Sequence, residues 1–249
     1  MYHIRQEKIK SLINNKKIVS IRELHELCPE VTLMTLHRDL DALARSGLLV
    51  KLRGGVRAVK QDGEPSFQSR EGENTSGKNI IAAKAIRLIP EDGSVFFDAG
   101  TTSLAIIKAL PDTNLTVITN GANFANALQH FANITTYFCC GALNRANMAL
   151  SGQSTLDFLD KINIDLGFIG VSGYSGESGF TCGKESEMHV KKLVIKKARK
   201  SVVLIDATKF TRIMPHTFAR LEDVDYIIGD DDMPGDFMRD AKNAGVAVL

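Results

Sequence analysis

The chain has 249 residues, of which 44% are hydrophobic and 24% are charged, a balance that excludes disordered and fibrous proteins. No apolar run approaches the ~18 residues that a membrane-spanning helix needs, and the first residues lack the apolar stretch of a secretion signal. Four cysteines, two of them adjacent, form neither a disulfide framework nor a C-x-x-C motif. We therefore expect a cytoplasmic protein of one or two domains, without a structural metal or a cofactor.

Charge is distributed unevenly along the chain. Residues 1–60 hold 12 lysines and arginines against 6 acidic residues, whereas residues 61–249 hold 19 basic residues against 23 acidic ones. A basic segment followed by a mildly acidic one suggests that the first segment meets a polyanion such as nucleic acid. A solvated basic surface without a partner is the alternative that charge alone leaves open.

The apolar pattern of the basic segment predicts short helices in succession. A first helix is expected to end by Asn14–Asn15. Ser20 and Glu23 have the spacing of a capping box, which predicts the start of a second helix, and Pro29 ends that helix. Thr32 is the expected N-cap of a third helix.

The third helix is followed by a predicted hairpin. Leucines at helical spacing give the helix a buried side, and Gly47 is expected to end it. Residues 48–52 and 56–59 have the character of strands, and residues 53–55 form the turn between them. Helices followed by a basic hairpin predict a winged helix-turn-helix, which we assign to residues 1–59.

Candidate DNA-binding residues lie on the third helix and the hairpin. Opposite the buried leucines, this helix carries arginine, which can bond two acceptors of guanine, and threonine, which can touch a base or a phosphate. A glycine turn allows a phosphate to approach the backbone, and basic side chains around it supply neutralising charge. The candidate set is Thr32, Met34, Thr35, His37, Arg38, Arg45, Lys51, Arg53, Gly54, Gly55 and Arg57.

Residues 60–77 are polar and rich in Gly, Ser and Glu, which predicts a linker. From residue 78 onward helix and strand patterns alternate, which favours a mostly parallel α/β sheet over residues 78–249. The predicted strands are residues 95–97, 115–118, 134–138, 166–169, 202–205, 226–228 and 246–249. The predicted helices lie near residues 81–89, 104–110, 124–128, 185–198 and 235–243.

Three segments at strand ends are candidates for an anion site. Residues 98–103 follow a buried strand and open a helix with small and hydroxyl-bearing residues, the composition of a phosphate cradle. Residues 119–121 repeat this arrangement after the next strand, and Lys209 follows a third strand. A turn or a cap explains any one of them, but ligands of parallel sheets bind beyond the carboxyl ends of the strands, where all three would meet.

The third helix resembles a known pattern. Residues 32–40, TLMTLHRDL, are similar to the recognition helix of the DeoR family of bacterial transcription regulators, usually S/T-x-x-T-I-R-R-D-L, and Arg5, Ile9 and the wing glycines fall where that family has them. His37 stands where arginine is commoner and Arg53 replaces the usual wing histidine, so the operator sequence is expected to differ. Asp39 is expected to hold Arg38 or a neighbouring helix rather than DNA.

The resemblance extends to the remainder of the chain. Residues 96–102, 117–120, 165–170 and 204–210, together with Glu187 and Val190–Lys191, are similar to the effector domain of the same regulators. That domain is related to ribose-5-phosphate isomerase and the CoA-transferase-like superfamily, and it implies a phosphorylated sugar or a related metabolite as effector. Cys140–Gly141 stands where the family commonly has two glycines. The implied effector-binding set is Asp98, Gly100, Thr101, Thr102, Thr119, Asn120, Gly141, Gly170, Glu187 and Lys209.

The predicted function is a DNA-binding transcriptional regulator, expected to be a homo-oligomeric repressor (dimer or tetramer) of a carbohydrate-metabolism operon. The alternative is a phosphosugar isomerase with an appended DNA-binding head, which needs a carboxylate base near its substrate. Residues 170–175 contain no acid, and Glu187 lies where it would simply pair with Lys191 on a lysine-rich helix. The basic stretch from Lys191 to Lys200 is expected to be the solvent-exposed face of that helix. A ligand-free structural DNA-binding protein would not explain the phosphate-receptive loops.

Overall fold

A computed structural model describes residues 2–16, 18–45, 49–52, 54–58 and 65–249. The contacts divide the chain into two compact units, residues 1–69 and residues 70–249. Several sequence predictions lie outside the described residues: the helix end at Gly47, the strand positions Leu48 and Val59, the turn residue Arg53 and the linker residues 60–64.

The described residues of the first unit form three complete helices and a three-stranded antiparallel sheet in the order β1-β3-β2. Its elements are α1 (Tyr2–Lys16), β1 (Ile18–Ser20), α2 (Ile21–Leu27), α3 (Leu33–Arg45), β2 (Leu49–Leu52) and β3 (Gly55–Ala58). The predicted winged helix-turn-helix architecture is confirmed, with β2 and β3 as the hairpin. The sequence pattern did not predict β1, which pairs with β3 on the other side.

The capping box at the start of α2 is also confirmed. The Glu23 N–H donates to Ser20 Oγ at 3.2 Å, and the Ser20 N–H donates to the Glu23 carboxylate at 2.9 Å. Hydrogen bonds from Lys16 and from Ser20 lower the pKa of Glu23 to about 2. The carboxylate therefore stays ionised and keeps the helix start fixed.

The second unit is built on a seven-stranded sheet in the order β15-β14-β12-β9-β4-β5-β6, in which every neighbouring pair is parallel. These are the seven strands that the apolar runs predicted. Their bounds are β4 (Ser94–Phe97), β5 (Leu115–Thr119), β6 (Ile134–Phe138), β9 (Ile164–Gly170), β12 (Ala198–Ile205), β14 (Tyr226–Gly229) and β15 (Ala247–Val248).

Beyond α1 to α3, the described residues form seven more α-helices. They are α4 (Phe67–Glu71), α5 (Thr75–Ile86), α6 (Thr101–Lys108), α7 (Ala125–Leu128), α8 (Gln153–Asp160), α9 (Glu185–Lys197) and α10 (Gly235–Asn243). The segment predicted as a linker thus contains α4 and the first turn of α5. In the described part of the chain, none of the helices combines the length and the apolar character that a membrane-spanning segment needs.

The second unit also contains short antiparallel strands, which the sequence pattern did not predict and which form two small sheets of their own. One hairpin joins β7 (Ala142–Asn144) and β8 (Ala149–Ser151), and a second small sheet has the order β10-β11-β13. The strands of that second sheet are β10 (Gly173–Ser175), β11 (Gly179–Cys182) and β13 (His216–Ala219).

The order of the parallel strands fixes where a ligand can bind. The chain runs from β4 outward through β5 and β6, and then returns to place β9, β12 and β14 on the other side of β4. The direction of strand addition therefore reverses between β4 and β9. In open parallel sheets such a reversal leaves a crevice at the carboxyl ends of the two strands, and this crevice is the preferred ligand position.

Candidate DNA interface and effector site

The register of α3 is set by its buried side. Leu36 and Leu40 are fully buried, and Leu43 is 2% exposed. Between them, Asp39 accepts a hydrogen bond of 2.6 Å from Arg5 Nε on α1, and this bond raises the pKa of Arg5. The expectation that Asp39 holds a neighbouring helix is confirmed, so this carboxylate is part of the scaffold.

The opposite face of α3 is open to solvent. Met34 and Arg38 are exposed, as the amphipathic pattern predicted, and His37 is exposed as well. Thr32 caps the helix, since its Oγ1 accepts a hydrogen bond of 3.3 Å from the Thr35 N–H. The exposed face of α3 therefore presents apolar and polar side chains after a fixed cap.

The wing carries a basic residue that is already paired. Lys51 Nζ on β2 donates to the Asp41 carboxylate at 2.7 Å, and both side chains are partly exposed. Because an exposed pair is screened by water, Lys51 can leave Asp41 for a phosphate at little cost. Of the other basic candidates, Arg53 lies outside the described residues, as do the side chains of Arg45 and Arg57.

The two glycines of the wing have different reasons for being glycine. Gly54 has φ +81°, a left-handed conformation that side chains disfavour. Gly55 sits so close to β1 that an added Cβ would lie 2.6 Å from the Val19 carbonyl oxygen. Gly54 shapes the tip of the turn, whereas Gly55 lets β3 pack against β1.

In the second unit, four neighbouring strands bring their candidate residues to one edge of the sheet. Gly170 ends β9, Asp98 follows β4, Thr119 and Asn120 lie at the end of β5, and Lys209 follows β12 in a short 3-10 helix. The carboxyl ends of parallel strands share an edge, so the structure collects residues that are far apart in sequence. This edge includes the crevice between β4 and β9.

Asp98 and Lys191 form a buried ion pair at that crevice. Both side chains are almost completely buried, and Asp98 also accepts the Gly170 N–H at 3.1 Å while Lys191 donates to the Gly170 carbonyl at 2.9 Å. Burial by itself lowers the pKa of Lys191, but Asp98 outweighs it and the net shift is upward. The prediction that Lys191 lies on the exposed face of its helix is wrong, because it is buried beside Val190.

The start of α6 has the geometry of an anion cradle. Gly100 occupies the N-cap position and offers no side chain to cap the helix. Apart from its chain neighbours, a Cβ built on Gly100 would meet only the Asp98 carbonyl oxygen, at 4.0 Å, so there is room beside Gly100. Ser103 Oγ in the first turn is buried and, within the described part of the chain, has no hydrogen-bond partner. The backbone N–H groups of a helix start carry partial positive charge and favour an anion.

The neighbouring loop is held by its own side chains. Asn120 Oδ1 accepts the Ala99 N–H at 2.8 Å, which ties the loop after β5 to the cradle. Thr119 Oγ1 donates to the Phe97 carbonyl at 2.7 Å and accepts the Gly121 N–H at 3.0 Å. Both side chains thus fix the backbone around the cradle.

Glu187 at the start of α9 anchors the β7–β8 hairpin. Its carboxylate accepts hydrogen bonds from Asn147 Nδ2 at 2.5 Å and from Asn144 Nδ2 at 3.2 Å. The hairpin also reaches the loop after β5, because Asn120 Nδ2 donates to the Leu150 carbonyl at 3.3 Å. The predicted site residues Glu187 and Asn120 are therefore linked through one hairpin.

Gly141 lies at the start of that hairpin, after β6. Its φ is +142°, and an added Cβ would lie 2.7 Å from the Ser151 carbonyl oxygen. Of the cysteines before it, Cys139 is buried, which raises the pKa of its thiol to about 12, whereas Cys140 is exposed. The structure therefore requires glycine at position 141 and tolerates a larger residue at position 140.

Lys209 and Lys78 form a second group of buried cations. Lys209 Nζ lies 3.5 Å from the Asp206 carboxylate. Burial by itself raises the pKa of Asp206, but Lys209 and the hydrogen bonds from Thr208 outweigh it and lower the pKa. Lys78 Nζ donates to the carbonyls of Arg70 and Glu73 at the end of α4. Burial, with a contribution from Lys209, lowers the pKa of Lys78 to about 8.

Sequence reasoning did not place Lys78, Lys191 or Asn147 in the site. A signal for both lysines was present, since each falls on the buried stripe of its helix, Lys78 with Ile81 and Lys191 with Val194. Asn147 lies in a hairpin that the pattern did not predict. Among the residues that the structure describes, no cluster of three His, Cys, Asp or Glu could hold a metal ion.

This arrangement can bind an anion, but it lacks a free acid in the crevice. The cradle supplies uncapped N–H groups, and Lys209 lies after β12 at the same edge of the sheet, whereas the charge of Lys191 is balanced by Asp98. Asp98 is occupied by Lys191 and by the Gly170 N–H. Residues 171–176, which follow β9, contain no carboxylate. Proton transfer between carbons needs such a base.

Comparison with known proteins agrees with this architecture. Residues 5–62 match the DeoR-like helix-turn-helix domain, and residues 73–231 match the DeoR C terminal sensor domain. The HTH-type transcriptional regulator GlpR of Haloferax volcanii is 34% identical over 217 residues, which cover 86% of this chain and 85% of that protein. The glycerol-3-phosphate regulon repressor of Escherichia coli K12 is 28% identical over 236 residues, covering 94% of this chain and 93% of the repressor.

Among solved structures, ribose 5-phosphate isomerase A of Methanocaldococcus jannaschii is similar to this chain at 17% identity, with a TM-score of 0.40 over 55% of each chain. The family matches span both units, the exposed α3 and the crevice included. The chain belongs to the DeoR family and is a DNA-binding transcriptional regulator with an effector-sensing domain.

Proposed function

We propose that this regulator is a repressor of a carbohydrate-metabolism operon and that a phosphorylated sugar or a related metabolite, bound at the carboxyl edge of the sheet, changes its affinity for operator DNA. The observation that carries the proposal is the uncapped start of α6 at the edge of the sheet where Lys191 pairs with Asp98 and Lys209 follows β12. A relative that represses the glycerol-3-phosphate regulon supports a phosphorylated effector.

On the DNA side, α3 enters the major groove. Arg38 and Thr35 contact base edges, the cap residue Thr32 lies next to the phosphate backbone, and the wing contacts the adjacent backbone through Lys51 and Gly54. His37, Arg45, Arg53, Gly55 and Arg57 complete the DNA-binding set, as the sequence predicted. A regulator of this kind acts in the compartment that holds the chromosome, which in bacteria is the cytoplasm.

On the effector side, the phosphate lies against the N–H groups of Gly100, Thr101 and Thr102, and Lys209 adds positive charge. Asn120 and Glu187 orient the hydroxyl groups of the sugar, directly or through the β7–β8 hairpin that they hold. Asp98, Thr119, Gly141 and Gly170 shape the pocket walls. This role for Asp98 is supported by its pairing with Lys191, which takes it away from proton transfer.

The effector acts on DNA binding through the assembly. Winged-helix repressors bind repeated half-sites as dimers or larger homo-oligomers, so the spacing of two α3 helices decides the fit to the operator. A ligand that prefers one spacing shifts the affinity for DNA by a coupling of ~1–3 kcal/mol. A dimer or tetramer in solution is the expected state.

The effector half of the proposal is tested by titrating the full-length protein with sugar phosphates and with the same sugars without phosphate, in a calorimeter. Phosphorylated ligands are expected to bind, and Lys209→Ala is expected to weaken that binding while operator binding is unchanged. Lys242→Ala, which removes an exposed lysine of α10, is the matched control. Equal binding of phosphorylated and unphosphorylated sugars, or rapid isomerisation of ribose 5-phosphate, would contradict the proposal.

The DNA half is tested with Arg38→Ala. Loss of a bidentate contact to guanine is expected to cost ~1–3 kcal/mol of operator affinity and to relax the preference at one base pair. Arg239→Ala removes the same charge from an exposed position of α10 and is expected to leave DNA binding unchanged. If Arg38→Ala kept the sequence preference of the unmodified protein, the assignment of α3 to the major groove would be contradicted.

A further inference from the structure

The start of α3 exposes an apolar surface. Met34 is 74% exposed, more than any other large hydrophobic side chain in the described ranges, and the adjacent Leu33 is 49% exposed. Single apolar residues on a surface are common. Two adjacent apolar residues at the start of a DNA-recognition helix need an explanation. The first residues of such a helix are the ones that contact base edges.

The exposure of Met34 is fixed by the rest of the unit. Leu36 and Leu40 are fully buried, and the Arg5–Asp39 ion pair holds the same side of α3 against α1. A rotation that hid Met34 would expel these leucines from the core. The Met34 side chain is therefore held on the solvent-exposed face of α3, which is the face that would contact DNA.

The position of Met34 relative to Arg38 sets a distance on DNA. The two residues are one helical turn apart on the same face, which corresponds to ~6 Å along the helix axis. Base pairs are stacked ~3.4 Å apart. A helix lying along the groove would place the methionine about two base-pair steps from the guanine that Arg38 contacts.

One group in the major groove suits an apolar side chain. Thymine carries a 5-methyl group there, whereas the other base edges present hydrogen-bond donors and acceptors. A methionine side chain is flexible and polarisable, so it can cover a methyl group whose position varies slightly. We propose that Met34, flanked by Leu33, reads the 5-methyl group of a thymine about two base pairs from the guanine contacted by Arg38, an inference that rests on the proposed DNA-binding function.

The experiment begins with selection of high-affinity duplexes from a random DNA library by the full-length protein. Each thymine of the selected sequence is then replaced in turn by uracil, which differs only in lacking the methyl group. Replacement at one position per half-site is expected to weaken binding about fourfold, the value of one buried methyl group, and replacement elsewhere is expected to have little effect.

Variants identify the side chain responsible. Met34→Ala is expected to bind the thymine duplex several-fold more weakly and to bind thymine and uracil duplexes equally. Met34→Leu keeps an apolar side chain and is expected to keep the preference for thymine. Met238→Ala, which removes a methionine that is 39% exposed on α10, is expected to behave as the unmodified protein.

Two results would overturn the inference while the proposed function stands: specific binding that no uracil substitution weakens, or a Met34→Ala variant that still prefers thymine. A Met34→Ala variant that changes oligomeric state with its thymine preference intact would assign the side chain to a protein contact and would also overturn it. Failure to select any sequence would instead overturn the DNA-binding function on which it rests.

Discussion

The two units of this regulator place the charges of their candidate sites in opposite environments. In the first unit, Arg38 is exposed, and Lys51 forms a solvent-exposed pair with Asp41. In the second unit, Asp98 and Lys191 are buried and satisfy each other. Exposed charges act on a polyanion at long range and are screened by salt, whereas buried pairs are screened little and act on fixed neighbours. The difference predicts that charge substitutions in the first unit change binding, and that those in the second also change stability.

The largest effect is expected from Asp98→Ala. Removal of this carboxylate leaves Lys191 buried without its charge partner, which typically costs 3–5 kcal/mol. Urea denaturation of the full-length protein should show this loss. Asp231→Ala is the control, since it breaks a 3.5 Å pair with Lys84 in which Asp231 is 71% exposed, and it should change stability by less than about 1 kcal/mol. Similar effects of the two substitutions would contradict the expectation that the buried pair matters more for stability than the exposed pair.

Replacement of Lys191 by an apolar residue in the same variant isolates the effect of the unpaired buried charge. The double variant Asp98→Ala, Lys191→Met no longer holds an unpaired buried charge, so it should be more stable than Asp98→Ala alone. Additive losses from the two substitutions would show that the ion pair is not the source of the effect.

Lys78 gives a smaller effect that depends on pH. Its pKa falls from 10.5 to about 8 in the folded protein, so folding favours the neutral amine. Below pH 8 the lysine is charged in both states and folding carries the full penalty; as the pH rises toward 10.5 the penalty disappears. The free energy of unfolding of the unmodified protein, minus that of Lys78→Met, should therefore increase by about 3 kcal/mol between pH 8 and pH 10.5.

The control for this measurement is Lys78→Arg, because a guanidinium stays charged throughout that range. Its difference from Lys78→Met should not rise with pH. A flat difference for the unmodified protein would show that the burial of Lys78 does not perturb its titration.

The smallest effect on stability is expected from Lys51→Ala. The exposed pair with Asp41 contributes at most about 1 kcal/mol, so chemical denaturation should be nearly unchanged. Operator binding should nevertheless weaken, and the slope of log affinity against log salt should fall by about one, as expected for one phosphate contact. A large loss of stability with an unchanged salt slope would show that Lys51 acts in folding and not in DNA binding.

The framework of the fold was predictable because it depends on local patterns. Most strands of the parallel sheet contain a short apolar run, such as residues 95–97 or 202–205, and each described helix of the first unit has a leucine or isoleucine stripe. The capping box at Ser20 needs only residues three positions apart. The strands that escaped prediction, such as β1 and β10, have three residues each, and distant partners decide their pairing.

The gathering of the candidate effector residues at one edge of the sheet was predictable, but their electrostatics were not. The cradle at residues 98–103 follows from one strand-to-helix turn, which a local pattern can predict. The burial of Lys191 depends on Asp98, 93 positions away, so a lysine-rich stretch suggested a solvent-exposed side chain. Lys78 escaped notice because it follows a polar stretch that resembles a linker, although that stretch folds into α4 and α5.

The distribution of thiols has a practical consequence. Cys28, Cys139 and Cys182 are buried and Cys140 is exposed; burial raises the pKa of the Cys182 thiol to about 11, as it does for Cys139. Thiolates are the reactive form, so a maleimide fluorophore should attach selectively at Cys140. That position adjoins Gly141, at the carboxyl end of a strand of the parallel sheet. The native sequence thus offers a labelling handle through which metabolite binding can be followed optically, without introducing or removing a cysteine.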